Sequence, residues 1–362
     1  MYITMQKRFS ENLFWGKELI GAVNITDVAQ RAGVSISTVS RVLNDSDYPV
    51  RPETRQKVLE AIEELRFRPN ELARSLLLKQ THTIGLIIPD ISNPYYPELS
   101  LGVEATASEH GYAVIFCNTS RRPEKVEYYL DVLLQKQVDG IIIAGGGTDL
   151  TQISQGALGS DTKIALVGKH HLPFPSVQVD NFGAARETTS HLLNLGHRHI
   201  AFISGPPNLT SVQHRLAGYK VSLEERGISE DNRLICEGDF GAESGYSATL
   251  SLLRGEPTPT AIFAANDRMA ISAMAAATDV GLRVPNDLTV VGFDDIITAS
   301  LVRPALTTVS LPAYEIGTSA MRLMLKLLEG EECPKTVWLP TQLVIRQSSD
   351  PPPRVEKNEE RG

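Results

Sequence analysis

Cysteine is scarce in this chain. Cys117, Cys236 and Cys333 are scattered, odd in number and without C-x-x-C spacing, which argues against a disulfide framework or a thiolate zinc site and for a reducing compartment. Long apolar runs are missing as well: no stretch reaches the 18 residues a membrane-spanning helix needs. The first 22 residues carry Lys7, Arg8, Glu11, Lys17 and Glu18 among their apolar positions and so lack the hydrophobic region of a signal peptide. Enzymatic signatures are absent too. There is no G-x-x-x-x-G-K-[ST], G-x-S-x-G or H-E-x-x-H, and Leu150 stands where a dinucleotide fingerprint starting at Gly145 would need its last glycine. His170 with His171, and His197 with His199, have no carboxylate or cysteine at ligand spacing, so neither a metal nor a cofactor is expected. Positive charge is also in short supply. The net charge is −8 over 362 residues, but the deficit is uneven: the first 80 residues hold 12 basic and 10 acidic side chains, the remainder 23 and 33. Any contact with a polyanion is therefore aimed through the N-terminal part.

What is present there is a pair of short helical patterns around a glycine, TDVAQRAGVSISTVSRVL, at 26–43. Thr26 is the expected N-cap, with Asp27 in the first turn where a carboxylate favours the helix dipole. Val28, Ala29 and Ala32 form one apolar face. Gly33 allows the tight turn, Val34 fills the angle between the helices, and Ser35 caps the second helix. Val39, Val42 and Leu43 face inward. Ile36, Ser37, Thr38, Ser40 and Arg41 are left on the outer side, where small polar side chains and one arginine suit a major groove about 12 Å wide. A third helix is predicted from Pro52 at its first position and from Val58, Ile62 and Leu65 at i, i+4, i+7 spacing.

Through D27-V28-A29, A32-G33-V34-S35 and T38-V39-S40-R41-V42-L43-N44, this segment closely resembles the DNA-binding headpiece of the LacI/GalR (lactose repressor) family. The resemblance continues through V50-R51-P52-E53-T54-R55 into R68-P69-N70-E71-L72-A73-R74-S75-L76, which is similar to the family's hinge helix. It implies DNA contacts from Ser35, Ile36, Ser37, Thr38, Ser40, Arg41 and Asn44, and a minor-groove wedge from Leu76. A hinge helix of about eight residues is marginal alone, and its pairing on DNA would make it a switch. Members of the family usually begin within a few residues of the first helix, so translation is expected to start close to Val23.

Past Thr81 the pattern changes to uniformly apolar runs, TIGLIIPD, YAVIFCNT, GIIIAGGG and KIALVGK, followed by HIAFISGP, TAIFAAND and LTVVGFDD. Runs of this kind read as strands buried on both faces, hence parallel βαβ units in two similar sets. The resemblance implies an α/β periplasmic-binding-protein-like body of two lobes, crossed by three segments expected near 179–182, 310–312 and 339–341. Ligands of open α/β sheets collect at the carboxyl ends of strands. There the chain offers Asn93, Tyr95 and Tyr96, Asn266 in ANDRMA and Asp294 in GFDD, and the resemblance adds Arg215, in the family signature HRLAG, and Phe240, in EGDF. By resemblance these would hold a small metabolite: a sugar, sugar phosphate or nucleobase. Asp267 and Asp295 read equally well as caps of the helices that follow, and Asp180 with Asn181 as braces of a crossing strand.

The domain reading is an extension at 1–23, a helix-turn-helix domain at 24–68, a hinge at 69–81, a two-lobed effector and dimerisation domain at 82–347, and a disordered tail at 348–362. That tail carries no leucine heptad, so a homodimer is expected rather than a tetramer. The function implied is a cytoplasmic, non-enzymatic transcriptional repressor that binds a palindromic operator under control of a small effector. The alternatives are an activator or a solute-binding protein of the same fold.

Overall fold

The computed structural model describes residues 23–43, 48–67, 80–145, 162–170 and 172–353. The chain divides into two compact units, Met1–Thr81 and His82–Gly362. Asn44, Leu76, residues 69–79 of the hinge and residues 1–22 of the N-terminal extension lie outside the described residues.

The first unit holds three helices: α1 (Ile25–Ala32), α2 (Ile36–Leu43) and α3 (Pro52–Glu64). The cap of α1 lies two residues earlier than expected. Asn24, not Thr26, caps it: its Oδ1 accepts from the Thr26 and Asp27 amides at 2.8 and 3.3 Å, and Asp27 Oδ2 accepts from the Asn24 amide at 2.7 Å. This reciprocal box satisfies three donors that a lone threonine could not. Gly33 is left-handed (φ 67°) and closes α1 with its amide on the Ala29 and Gln30 carbonyls. Val28, Ala29, Val39, Val42, Val58 and Ala61 form the buried core, with Val34, Leu43, Ile62 and Leu65 packed around it as the spacing predicts. Arg51 precedes α3 and makes no side-chain cap.

The second unit contains two six-stranded sheets. The first lobe is built from β1 (Thr83–Ile88), α4 (Tyr95–Glu109), β2 (Ala113–Asn118), α5 (Pro123–Gln135), β3 (Gly140–Ala144), β4 (Lys163–Val167) and β5 (Ser176–Val179). The chain then enters the second lobe through α6 (Asn181–Leu195), β6 (Ile200–Ser204), α7 (Thr210–Glu224), β7 (Ile235–Glu237), α8 (Ala242–Arg254), β8 (Ala261–Ala264), α9 (Asp267–Asp279), β9 (Thr289–Asp294), α10 (Ile297–Leu301) and β10 (Thr307–Ser310). It returns to the first lobe for α11 (Ala313–Glu329) and β11 (Thr336–Leu339), and crosses back for β12 (Gln342–Val344). All three crossings fall where the sequence places them.

The sheet orders are β11-β5-β4-β3-β1-β2 and β12-β10-β9-β8-β6-β7, every pairing parallel except the antiparallel β10–β12 edge. Burial on both faces explains six of the seven apolar runs, whereas β2, the edge strand, is largely half-exposed with Phe116 46% exposed, because no further strand covers its outer side. Ile84, Leu86 and Ile88 face α4 and α11, while Ile87, Ile141 and Ile143 face Val126, Leu130 and Leu133 of α5. Two glycines let α4 and α11 approach closely: a Cβ on Gly102 would collide with the Tyr314 carbonyl, and one on Gly317 with that of Leu99. Residues 348–350, expected to open a disordered tail, are instead bound into the second lobe. Ser348 is fully buried, its hydroxyl donates to the Val290 carbonyl at 2.6 Å, and the Asp350 carbonyl accepts from Thr289 at 2.9 Å.

Candidate functional site

Two surfaces stand out, one in each unit. On α2 the outward face carries Ser35, Ile36, Ser37 and Arg41, all exposed, and Ile36 is 47% exposed although it is a large apolar residue. Thr38 and Ser40 are half-buried beside them. Ser35 caps the helix as expected, with its hydroxyl accepting from the Thr38 amide at 3.2 Å and lying 2.8 Å from the Ser37 and Thr38 hydroxyls. The Arg41 guanidinium rests 4.6 Å from the ring centroid of Tyr48, which is itself 68% exposed. Tyr48 was not among the residues singled out from sequence; it shows that Arg41 is held over an aromatic face rather than extended freely.

Between the lobes lies a cleft of about 520 Å³. Asn93, Tyr95, Tyr96, Arg215, Phe240 and Asp294 all line it, six of the seven effector residues expected. They arrive from both lobes because parallel strands point their carboxyl ends at the same gap. Asn93, Tyr95 and Tyr96 follow β1, Phe240 follows β7, Asp294 ends β9, and Arg215 comes from α7.

The structure uses Asn266 differently. It is buried, caps α9 by accepting from the Met269 amide at 3.0 Å, and donates to the Phe240 carbonyl at 3.1 Å. With both ends of its amide engaged and no place in the cleft lining, it shapes the Phe240 loop instead of facing the cavity. Nor do Asp267 and Asp295 cap helices. Asp267, fully buried, accepts from the Thr308 hydroxyl and from the Ile296 amide at 2.9 Å, and Asp295 pairs with Arg346 at 2.7 Å. Asp180 does cap α6, accepting from the Gly183 amide at 2.9 Å, while also lining the cleft.

The floor in the second lobe is a buried charge network. Arg215 donates from Nε to Asn181 Oδ1 at 2.8 Å and from Nη1 to the Ala265 carbonyl, lies 3.7 Å over the Phe293 ring, and pairs with Asp294 at 3.8 Å. Burial pushes the Asp294 carboxyl up to about 6, although Arg215, Asn93 and Arg121 work against the rise. Burial, then the neighbouring Asp294 charge, pushes Asp267 up to about 7. Backbone strain accompanies these positions: Phe240 (φ 67°) and Asp294 (φ 118°) take left-handed conformations that L side chains rarely adopt.

Besides the Asn93–Asp294 contact, two more bridge the lobes at the cleft among the described residues. Arg268 of α9 donates to Asp90 Oδ2 at 3.1 Å and to the Ser92 hydroxyl at 3.2 Å, and Arg121 lies 4.9 Å from the Phe240 ring centroid. Burial acts to raise Asp90, but the Ser92 hydrogen bonds and the Arg121 and Arg268 charges outweigh it and hold the carboxyl low.

Further cleft residues went unread in the sequence: Thr119, Arg121 and Arg122 after β2, Lys169 after β4, His214 one residue before Arg215, and Trp338 of β11. The rule that found Asn93 applies equally to the ends of β2 and β4, and following it there would have found them. His214 is held below its ordinary value by burial and then by the Lys169 charge, with Asp180 opposing.

Comparison with known proteins agrees with this division. Residues 24–70 match the model of bacterial regulatory proteins of the lacI family, and residues 189–349 match a periplasmic binding protein-like domain. Catabolite control protein A of Priestia megaterium is 41% identical over 332 residues, covering 90% of this chain and 99% of that one. The ribose operon repressor of Halalkalibacterium halodurans is 40% identical over 326 residues, with 90% and 96% covered. Among solved structures, the lac repressor dimer bound to operator and the anti-inducer ONPF superposes with a TM-score of 0.82 at 32% identity, covering 91% of this chain and 99% of that one. With a helix-turn-helix unit, a two-lobed parallel α/β body and relatives that match it along nearly their whole length, the chain belongs to the LacI family of DNA-binding transcriptional regulators.

Proposed function

We propose that this regulator is a cytoplasmic, non-enzymatic repressor that binds a two-fold symmetric operator as a homodimer and changes its DNA affinity when a small metabolite occupies the interlobe cleft. The observation that carries this reading is the convergence of six predicted side chains from two lobes on one cleft, in a chain that also presents an exposed Ser35–Arg41 helix face. A ribose operon repressor and a catabolite control protein among its relatives support a sugar as the metabolite.

The chemistry suits such a ligand. Arg215 and Asp294 offer donors and acceptors for vicinal hydroxyls, and Tyr95, Tyr96 and Phe240 offer apolar faces for a ring. On DNA, Ile36 and Ser37 set which operator is preferred and Arg41 reads a guanine, with Asn44 and the Leu76 wedge contributing as the family resemblance implies. Closure of the lobes alters the spacing of the paired hinge segments. The coupling is reciprocal, so operator shifts effector affinity by the same factor that effector shifts operator affinity.

A thermal-shift panel of sugars, sugar phosphates and nucleobases tests the cleft. A ligand at 100 times its dissociation constant should stabilise the body by about 2.7 kcal/mol, and the hit is then carried into operator titrations. A panel without a hit, or a hit that leaves operator affinity unchanged, would contradict the reading. On the DNA side, Arg41→Ala is expected to cost about 1–3 kcal/mol at the preferred operator and to relax base preference at one position. Binding across a randomised operator library measures both.

A further inference from the structure

The first-lobe end of the cleft differs in chemistry from the second-lobe floor. Thr119, Arg121, Arg122 and Pro123 line it, contributed by the turn between β2 and α5. Helix α5 starts at Pro123, and the residue before it, Arg122, makes no side-chain cap, so the first amide donors of a 13-residue helix are left without a capping side chain. Ser120 (φ 52°) and Arg121 (φ 60°) are held in the left-handed region to make this turn.

Two independent observations point to a ligand here. Thr119 is only 3% exposed and lines the cleft, yet its hydroxyl makes no hydrogen bond with any described residue. What little of this side chain remains accessible opens into the cleft, so its hydroxyl is free to bond a group held there. Arg122 likewise has no ion pair or side-chain hydrogen bond among the described residues. Arg121 is only partly committed, to Asp90 at 3.8 Å and to the Phe240 face. Across the lining as a whole, Arg121, Arg122, Lys169 and Arg215 stand against Asp180, which caps α6, and Asp294, which faces Arg215. The cleft therefore carries more cation than its own acids neutralise, within an acidic protein.

We propose that the Thr119 hydroxyl, the N-terminus of α5 and the Arg121 and Arg122 guanidiniums form an oxyanion subsite, and that the effector is a phosphorylated sugar. This rests on the reading of the cleft as the effector site. A phosphate ester carries close to two negative charges and three acceptor oxygens, which match two arginines, a helix start and a hydroxyl. The sugar ring then extends toward Tyr95, Tyr96 and the Arg215–Asp294 floor. Because Arg121 also stacks on Phe240 of the other lobe, an anion drawn onto it ties occupancy to closure.

Calorimetric titration of the full chain with ribose, ribose 5-phosphate, glucose, glucose 6-phosphate and gluconate tests this, in the native protein and in Arg122→Gln and Thr119→Val. Both substitutions keep the local shape, and melting curves without ligand check that the variants are folded. At least one phosphate ester is expected to bind roughly tenfold or more tighter than its parent sugar, with most of that preference lost in Arg122→Gln and part of it in Thr119→Val. Equal affinity for sugar and phosphate would remove the subsite while leaving the cleft as a sugar site. A preference that survives both variants and disappears in Lys169→Gln would place the anion at the other end and overturn the assignment. Gluconate binding as tightly as the phosphate esters would overturn the phosphate assignment, and no binding by any of the five would remove this inference while leaving the cleft to be judged by the nucleobases of the thermal-shift panel.

Discussion

The two lobes are wound alike and furnished differently. Their strand orders correspond position for position, each sheet collecting its sixth strand from the last stretch of chain. Yet the second lobe meets the cleft with Arg215, Asn181 and Asp294 bonded to one another above the buried Asp267–Thr308 pair, whereas the first meets it with Thr119, Arg122 and Lys169, whose side chains make no hydrogen bond or ion pair among the described residues. One fold thus supplies a rigid floor and a rim that still has capacity to bind. The position after a strand fixes only where a side chain arrives, and its neighbours decide whether it is already spoken for.

The sharpest way to break the comparison is to remove one group from each side. Arg215→Ala leaves Asp294 buried without its cation and is expected to cost about 3–5 kcal/mol of body stability in urea unfolding and to abolish the effector response. Arg122→Ala on the rim should change stability by less than about 0.5 kcal/mol. Comparable losses from the two would erase the distinction.

Acidity probes the same floor. Burial holds Asp294 and Asp267 above the ordinary carboxylate range, to about 6 and about 7, so the folded state binds protons that the unfolded chain releases. Stability from these groups is therefore fully present below about pH 4 and is lost as pH rises through 6 to 7, on the order of 1–3 kcal/mol. Urea midpoints measured from pH 8 down to 5 should rise from this source, and Asp267→Asn should flatten the trend. A slope unchanged in that variant would show that Asp267 does not carry it.

The smallest effect concerns the bridge between the lobes. The Arg268–Asp90 pair has about a quarter of each side chain exposed, so Arg268→Ala should weaken closure by only about 0.5–1 kcal/mol, seen as a two- to fivefold loss of effector affinity. Small-angle scattering of the body should show a slightly larger radius. An unchanged affinity and radius would mean the pair forms without favouring the closed form.

Much of this was legible beforehand for physical reasons. Strands buried on both faces leave uniformly apolar runs, so the six central ones stood out, and β2 read alike although it is a half-exposed edge strand, while β5, β7, β10, β11 and β12, three or four residues each, did not. Four of the six cleft residues, Asn93, Tyr95, Tyr96 and Asp294, were found because strand ends locate them, while Arg215 on α7 and Phe240 after the unread β7 were found only through the family resemblance. Asn266 was misread because an asparagine between strand and helix suits an N-cap as well as a ligand contact. The T-S-R-R-P turn went unnoticed because two arginines in a turn look like solvated surface until the fold shows that the turn borders a cavity. In the headpiece, Asn24 displaced Thr26 because N-x-x-D closes a reciprocal box that T-D-V-A does not.

The three crossings also govern how the protein is made. The first lobe needs α11 against its sheet and β11 at its edge, and both lie beyond every core strand of the second lobe in chain order. During synthesis the N-terminal residues of that lobe must wait, with Leu99, Val103 and Ala107 uncovered, until residue 339 has left the ribosome. The second lobe can assemble its central strands meanwhile. A message cut short between codons 313 and 336 would therefore spare the central strands of the second lobe and leave the first incomplete, so that residues near 99–107 stay uncovered because of a break more than 200 residues later.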